Sequence, residues 1–192
     1  MLSMLPWAAS AKTIMVLGDS ISAGYGIEVG KGWVDLLQQK FNQQGSGHAI
    51  RNESISGDTT AGGLARLDQA LTRHKPDLVL LELGANDGLR GLSPQAMKDN
   101  LAEIVRRCRK AGAEVLLLGM KIPPNYGKRF IDIFYNVYPQ LASEMKVPFM
   151  PFILEGIALN SALMQVDGLH PNSDAQPLIA EKVLAYLLPQ LK

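Results

Sequence analysis

Short runs of apolar and β-branched residues alternate along the chain with longer segments in which apolar residues recur every three or four positions. The short runs have the character of buried strands, and the longer segments have the period of helices packed on one face. The predicted strands are Thr13 to Leu17, Ala49 to Ile55, Leu78 to Leu83, Val115 to Leu118 and Val147 to Phe152. This alternation predicts a three-layer α/β/α fold, in which helices cover both faces of a five-stranded parallel sheet.

Apolar stripes mark the predicted helices. Ser93 and Pro94 open one of them, because serine is a good N-cap and proline is tolerated at the first helical position. A further helical stretch runs from about Lys128 to Met145. The stripes of the other helices are Trp33, Leu37 and Phe41, ending near Gly45; Leu64, Leu67 and Leu71; Met97, Leu101, Ile104, Val105 and Cys108; and Leu178, Ile179, Val183 and Leu187, beginning near Ser173 or Asp174.

Composition restricts the class of protein. The chain has 192 residues, of which 47% are hydrophobic and 19% charged, and this excludes a disordered protein. Its 19 Lys+Arg and 18 Asp+Glu leave a formal charge of +1, so nothing electrostatic favours nucleic acid as a partner. The single cysteine, Cys108, excludes an internal disulfide. We expect one domain over residues 12–192, monomeric, with no stable membrane insertion.

The first eleven residues form a separate segment. Met1 to Ala11 is apolar and ends on Ala9-Ser10-Ala11, the small-residue pattern of an export signal cleavage site. One interpretation is the remnant of such a signal, with a mature form that begins near Lys12 and is periplasmic or secreted. The alternative is an N-terminal arm that packs on the domain, in a protein that stays in the cytoplasm.

Three candidate residues follow the first three predicted strands. Because ligands of open parallel sheets bind beyond the carboxyl ends of the strands, residues at these positions are candidates for a functional site. Ser20 lies on a glycine-flanked turn that can present its hydroxyl, Gly57 leaves a backbone N–H unobstructed, and Asn86 adds an amide donor. Taken alone, each also fits a purely local role in capping a helix or forming a turn.

Asp167 and His170 lie three residues apart in a loop before the last predicted helix. At this spacing the carboxylate can bond to Nδ1–H of the imidazole and leave Nε2 free to take a proton. A serine nucleophile needs such a base, because its hydroxyl is inert at neutral pH. Together with Ser20, Gly57 and Asn86, this pair completes the set of groups that acyl transfer through an oxyanion requires.

The sequence resembles the SGNH (GDSL-type) hydrolases. Four ordered blocks carry the resemblance: GDSI from Gly18, the block around Gly57, GAND from Gly84 and DGLHP from Asp167. The longer strings GDSISAGYG and ISGDTTAGG are similar to the bacterial thioesterase I, lysophospholipase L1 and arylesterase subgroup, whose fold is flavodoxin-like. Ile21 replaces the more usual leucine of the first block.

The resemblance implies a role for each candidate. Ser20 would be the nucleophile, His170 the base and Asp167 its orienter. The backbone N–H groups of Ser20 and Gly57, with the Asn86 side chain, would form the oxyanion hole. Members of the subgroup are commonly exported to the periplasm, which favours the signal interpretation of the N-terminal segment.

The expected activity is hydrolysis of small acyl esters and thioesters, including aryl esters, acyl-CoA and lysophospholipids, with no metal or organic cofactor. The acyl chain would lie in a groove between Gly88 to Leu92 and Met120 to Tyr126, continuing toward Phe130 and Phe134, unless those two aromatics are core residues. An acyltransferase with the same residues and a non-catalytic binding domain on this fold are the alternatives.

Other reactive residues are expected to have structural or surface roles. His48 and His74 have no metal-ligand partner at suitable spacing, and Cys108 lies on the apolar stripe of its helix. The basic cluster of Arg106, Arg107, Arg109 and Lys110 is expected to be a solvated helix face, with weak binding of anionic lipid headgroups as the alternative.

Overall fold

A computed structural model describes residues 11–192. The N-terminal segment for which the sequence predicts either an export signal or a packed arm lies, apart from Ala11, outside the described residues. No helix of residues 11–192 is both long and apolar enough to cross a membrane.

The described chain contains five strands and seven α-helices in alternating order. Short 3₁₀ turns occupy Pro124–Tyr126, Ser161–Leu163, Ser173–Ala175 and Leu188–Leu191. The strands are β1 (Thr13–Gly18), β2 (Ala49–Asn52), β3 (Leu78–Glu82), β4 (Glu114–Leu118) and β5 (Phe149–Met150). The helices are α1 (Ser20–Ala23), α2 (Trp33–Gln43), α3 (Thr60–His74), α4 (Ala85–Leu89), α5 (Pro94–Lys110), α6 (Lys128–Met145) and α7 (Gln176–Leu187).

The five strands form one parallel sheet in the order β2-β1-β3-β4-β5. The central strand β3 is buried along its whole length, because both of its faces are covered. Helix α2 packs against α7, whereas α5 packs against both α3 and α6, so the helices form two groups. The predicted α/β/α architecture with a five-stranded parallel sheet is therefore confirmed.

Local sequence explains most of the element boundaries. The Ser93 hydroxyl accepts a hydrogen bond from the Ala96 N–H at 3.3 Å, and Pro94 occupies the first turn of α5, as predicted. Thr59 caps α3 in the same way, by accepting from the Gly62 N–H. These side chains satisfy N–H groups that have no partner within the helix.

Two strands are shorter than predicted. Strand β2 ends at Asn52 and not at Ile55, although the Glu53 and Ile55 N–H groups still donate to the Val16 and Gly18 carbonyls of β1. Strand β5 has two residues, since Pro148 and Pro151 flank it and neither can donate a ladder hydrogen bond.

The predicted stripe of the last helix contains one error. Ile179, Val183 and Leu187 are buried, but Leu178 is 45% exposed because it lies one position away from that stripe.

The short helices α1 and α4 were not predicted. They occupy the segments that sequence analysis treats as turns after β1 and β3.

Candidate active site

Ser20 is the first residue of the short helix α1, which begins two residues after β1 ends at Gly18. Asp19 caps this helix, and its Oδ1 accepts a hydrogen bond from the Ile21 N–H at 3.0 Å. The Ser20 side chain is half-buried. Ser20 therefore lies at the carboxyl edge of the sheet, but on a capped helical turn and not on the open turn expected from the sequence.

The structure brings together three of the predicted site residues in a continuous hydrogen-bonded chain. His170 Nε2 lies 2.9 Å from Ser20 Oγ, and His170 Nδ1 lies 2.7 Å from Asp167 Oδ2. With Nδ1 protonated and bonded to the carboxylate, Nε2 has a free lone pair that accepts from the serine hydroxyl. This is the arrangement that lets a histidine remove the proton of an attacking serine.

Asp167 is held by its own loop. Its Oδ1 accepts the Leu169 and His170 backbone N–H groups at 2.9 and 3.0 Å, while Oδ2 faces the imidazole. The backbone N–H of His170, together with its imidazole, lowers the pKa of this carboxyl to about 2. Asp167 is therefore ionised at neutral pH, although its side chain is partly exposed.

Tyr25 contacts His170 from outside the hydrogen-bonded chain of three residues. Its ring centroid lies 4.6 Å from that of His170, with the two planes inclined at 41°. No functional role was predicted for this residue. An aromatic residue in a glycine-rich turn has no local pattern that points to a histidine 145 positions further along the chain.

The predicted backbone donors are both available for a ligand. The N–H groups of Ser20 and Gly57 make no hydrogen bond within residues 11–192, and both residues are only partly buried. Gly57 has a φ of +81°, a left-handed conformation that strains any residue with a Cβ. Arg90 Nη2 donates to the Gly57 carbonyl at 2.7 Å and so helps to hold this turn.

Asn86 lies in the first turn of α4, with its amide directed toward the segments that follow β1 and β2. Its Nδ2 donates to Asp19 Oδ2 at 3.1 Å and to the Asp58 carbonyl at 2.9 Å. Both N–H groups of the Asn86 amide thus have acceptors within the protein. An oxyanion would share one of them in a three-centre hydrogen bond.

Arg66 connects two of the loops and was not identified from the sequence. Its Nε bonds to Asp58 Oδ2 at 2.7 Å, its Nη2 donates to the Gly18 carbonyl at 3.3 Å, and its Nη1 donates to the Glu53 carbonyl. The guanidinium therefore links the segment before Ser20 to the segment after Gly57. In the sequence, Arg66 is indistinguishable from a solvated residue on the polar face of α3.

The two segments expected to border the acyl groove are in contact, but the depression that the structure shows here runs only along the second of them. Tyr126 Oη donates to the Leu89 carbonyl at 2.9 Å, so the two segments expected to border the groove do meet. A surface depression of about 480 Å³ is lined by Tyr126, Phe130 and Ile133. Phe134 is 1% exposed, so of the two alternatives for this residue the structure supports a place in the core and not in the groove.

The residues expected to have structural roles are buried or hydrogen-bonded to neighbouring groups of the fold. His48 Nδ1 accepts the Lys12 backbone N–H, and His74 Nε2 bonds to Glu53 Oε1. Cys108 is buried, and burial raises the pKa of its thiol to about 12.

The basic cluster on α5 is engaged at the surface. Arg106 and Arg107 pair with Glu103, and Arg109 donates to the carbonyls of Met145 and Lys146. Within residues 11–192, no group of three or more His, Cys, Asp or Glu side chains could hold a metal ion.

Comparison with known proteins identifies relatives over nearly the whole chain. The model of the GDSL-like lipase/acylhydrolase family matches residues 16–176. The chain is 48% identical to the esterase TesA of Pseudomonas aeruginosa over 99% of its own length and 94% of the relative. It is 47% identical to an arylesterase of Vibrio mimicus, covering 95% and 91% of the two chains. It is 46% identical to thioesterase 1/protease 1/lysophospholipase L1 of Escherichia coli K12, covering 95% and 86%.

Solved structures give the same result. The crystal structure of TesA superposes with a TM-score of 0.91 at 48% identity, covering 94% of this chain and 100% of that one. A psychrotrophic esterase, EstA from a Pseudoalteromonas species, was solved inhibited by monoethylphosphonate. It superposes with a TM-score of 0.91 at 43% identity, covering 94% of this chain and 98% of that one. The chain therefore belongs to the GDSL-like lipase/acylhydrolase family and is an acyl-ester hydrolase.

Proposed function

We propose that the protein hydrolyses acyl esters and thioesters through an acyl-enzyme formed on Ser20. The observation that carries this proposal is the hydrogen-bonded chain from Ser20 through His170 to Asp167, with distances of 2.9 and 2.7 Å. The names of the relatives, which are an esterase, an arylesterase and a thioesterase/lysophospholipase, support aryl esters, acyl thioesters and lysophospholipids as substrates. The proposal involves no nucleic acid and no second chain.

Each half of the cycle uses the same base. Ser20 Oγ attacks the acyl carbonyl carbon while His170 Nε2 takes the hydroxyl proton, which it then delivers to the departing alcohol or thiol. A water molecule next gives a proton to His170 and attacks the acyl carbon. As Ser20 leaves the second tetrahedral intermediate, it recovers its proton from the imidazolium, and the carboxylic acid is released. Asp167 keeps its negative charge throughout and stabilises the imidazolium.

The charge that develops on the carbonyl oxygen needs hydrogen-bond donors. The N–H groups of Ser20 and Gly57 are unoccupied among the described residues and are suited to this role. Asn86 would add a third donor. Such donors act most strongly on the charged tetrahedral oxygen, which exists only in and near the transition state.

Covalent labelling tests the identity of the nucleophile. A fluorophosphonate is expected to modify Ser20 and abolish hydrolysis, and the adduct is mapped by mass spectrometry. Inhibition of the EstA relative by monoethylphosphonate supports this choice of probe. Ser20→Ala is expected to remain unlabelled, whereas Ser161→Ala, which alters an exposed serine, is expected to label as the parent does. Modification of another serine in the parent would overturn the mechanism.

A substrate screen defines the leaving group. Rates on p-nitrophenyl esters, acyl-CoA thioesters and lysophospholipids, with acyl chains of graded length, give the ratios of kcat/KM that measure specificity. Product analysis with an added acceptor alcohol separates hydrolysis from acyl transfer, since a transferase would form the new ester in preference to the free acid.

The Asn86→Ala variant is expected to lose about 10²- to 10³-fold in kcat and to keep KM nearly unchanged. The physical reason is that the amide N–H, which the substitution removes, donates a stronger hydrogen bond to the oxyanion than to the neutral carbonyl of the substrate. Steady-state kinetics on a short p-nitrophenyl ester measure the effect, with circular dichroism as the folding control. Asn42→Ala, which removes an exposed asparagine on α2, should retain the parental kcat. A folded Asn86→Ala within a few-fold of the parent would mean that Asn86 is not a donor.

We also propose that the protein is exported and that the mature form begins at or near Lys12. The Ala9-Ser10-Ala11 pattern directly before β1 supports this proposal. Expression of the native gene with its upstream codons, cell fractionation and N-terminal sequencing of the product provide the test. Cytoplasmic protein that retains Met1 would contradict it.

A further inference from the structure

Two carboxyl groups are buried together directly behind the proposed nucleophile. Asp19 and Glu82 are both 0% exposed. They are brought together by the sheet, because Gly18 at the end of β1 is paired in register with Glu82 at the end of β3. Gly18 is required for this approach, since a Cβ at its position would lie 2.7 Å from Glu82 Oε2.

The hydrogen bonds of the pair are unevenly distributed. Glu82 Oε2 accepts from the Ser22 hydroxyl at 2.6 Å and from the Asp19 N–H at 3.2 Å. Glu82 Oε1 is buried and has no partner. Asp19, in contrast, receives a donor on each oxygen, from the Ile21 N–H on Oδ1 and from the Asn86 amide on Oδ2.

Two adjacent buried carboxylates are not stable together, because each loses its hydration and each repels the other. No salt bridge among residues 11–192 reaches either Asp19 or Glu82. A proton on Glu82 removes one of the two charges. It also gives the carboxyl with the unpartnered oxygen an O–H that can donate to a neighbouring acceptor such as the Asp19 carboxylate.

We propose that Asp19 and Glu82 hold one proton between them, mainly on Glu82, and that the ionised Asp19 positions the Asn86 amide beside Ser20. The role assigned to Asn86 rests on the proposed function. Asp19 and Glu82 are positioning residues, because they act through Asn86 and through the turn that carries Ser20. A charged acceptor holds the amide N–H more firmly than a neutral one does.

The electrostatics of the site are consistent with this division of the proton. Burial, followed by the charge of Asp19, raises the pKa of Glu82 well above its usual value. Burial raises the pKa of Asp19 to about 6, against the opposing effects of the Ile21 N–H, Glu82, His170 and Asn86. These directions, together with the donor on each oxygen of Asp19 and the unpartnered Oε1 of Glu82, favour Glu82 as the carboxyl that holds the proton. The other titratable or charged groups that face the pair or its immediate partners are Asp58, Arg66, Asp87, Tyr138 and His170.

Carbon-13 NMR of the glutamate side-chain carboxyls tests the location of the proton directly. In the parent protein at pH 7, the Glu82 carboxyl carbon is expected to have the chemical shift of a protonated acid, while exposed glutamates give the reference shift of a carboxylate. Through-bond assignment identifies the resonance, so the measurement does not depend on a variant. A carboxylate shift for Glu82 at pH 7 would overturn the proposal.

Two substitutions distinguish a proton shared by Asp19 and Glu82 from a requirement for both carboxyl groups whatever their protonation. Glu82→Gln keeps a neutral side chain with an N–H to donate toward Asp19, and it should retain kcat within a few-fold of the parent. In Asp19→Asn, an NH₂ group replaces one of the two oxygens that accept from the Ile21 N–H and the Asn86 amide. This variant should lower kcat at least about tenfold with little change in KM. Asp77→Asn, which alters the acceptor of the Thr13 N–H at the opposite end of the sheet, is the matched control and should keep the parental kcat.

The outcomes are distinguishable from failure of the proposed function. Parental kcat in a folded Asp19→Asn would overturn the positioning role, and so would an equal loss in both variants, since that would mean that Glu82 acts as a carboxylate. In either case the fluorophosphonate would still label Ser20 in the parent. Failure of the proposed function would instead appear as labelling elsewhere, while the NMR result would still locate the proton.

The pH dependence of stability gives an independent readout. Because the pKa of Glu82 is raised on folding, the folded parent keeps a proton that the unfolded chain loses above its ordinary value near 4.5. The unfolding equilibrium constant of the parent relative to Glu82→Gln is therefore expected to rise by about tenfold per pH unit above pH 5, until Glu82 ionises in the folded state. Chemical denaturation between pH 5 and pH 8 measures this ratio. A ratio independent of pH would overturn the proposal.

Discussion

Replacing Ser20 with alanine is expected to lower kcat about 10⁶-fold, and replacing His170 with alanine should cost nearly as much. The double variant should be no worse than either single variant. In the proposed mechanism the two residues act as one unit, since Nε2 of His170 lies 2.9 Å from Ser20 Oγ and the acyl-enzyme forms only when both groups are present. Residual catalysis above the uncatalysed rate would come from substrate binding and the oxyanion donors.

Steady-state and single-turnover kinetics on a p-nitrophenyl ester measure these losses, with circular dichroism to verify folding. His48→Ala is the matched control for the histidine, because His48 lies at the amino end of the sheet, where it accepts the Lys12 backbone N–H and packs against the Phe41 ring. Losses that multiply in the double variant would show that Ser20 and His170 act independently, and the proposed mechanism would then be wrong.

Asp167→Asn is expected to lower kcat about 10⁴-fold through the tautomer of His170. The two loop N–H groups that bond to Oδ1 would keep the amide oxygen on their side, so the new NH₂ group would face His170 Nδ1. Nδ1 would have to accept, and the ring proton would move to Nε2. A protonated Nε2 cannot take the hydroxyl proton of Ser20.

The fold should survive this substitution, because the Asp167 side chain is partly exposed and buries little apolar surface. Asp174→Asn, an exposed aspartate in the following 3₁₀ turn, is the control and should have the parental kcat. One-bond nitrogen–hydrogen couplings in NMR spectra of the imidazole can report which nitrogen carries the proton. A variant with unchanged kcat would leave the orientation of His170 to other contacts, such as the ring of Tyr25 at 4.6 Å.

The two predictions depend on different kinds of contact. The bond between Asp167 and His170 is local, since both residues belong to one short loop and the carboxylate is held by N–H groups of that loop. The bond between His170 and Ser20 joins residues 150 positions apart, and it exists because β1 and the loop before α7 meet at one edge of the sheet. Damage to the packing of the sheet would therefore affect the second contact before the first.

The order of elements and most of the core follow from the sequence alone. A nearly unbroken apolar run such as Leu78 to Leu83, interrupted by Glu82, is unfavourable anywhere except in a strand covered on both faces, and the structure buries β3 completely. Ser93 and Pro94 determine the start of α5 through a side-chain acceptor and a fixed φ, which are properties of those residues themselves. The spacing of Asp167 and His170 likewise permits their contact without reference to the rest of the chain.

Only the tertiary structure decided which residues surround Ser20. Glu82 interrupts an apolar run and gives no indication in the sequence that it lies against Asp19, 63 positions away, because the register of β1 and β3 creates that contact. Phe134 likewise fits a groove or a core equally well until α6 is packed. Periodicity determines how a segment is buried, since burial depends on side chains close in sequence. The partner of a buried group depends on how whole elements pack, and that is settled by the free energy of the complete fold.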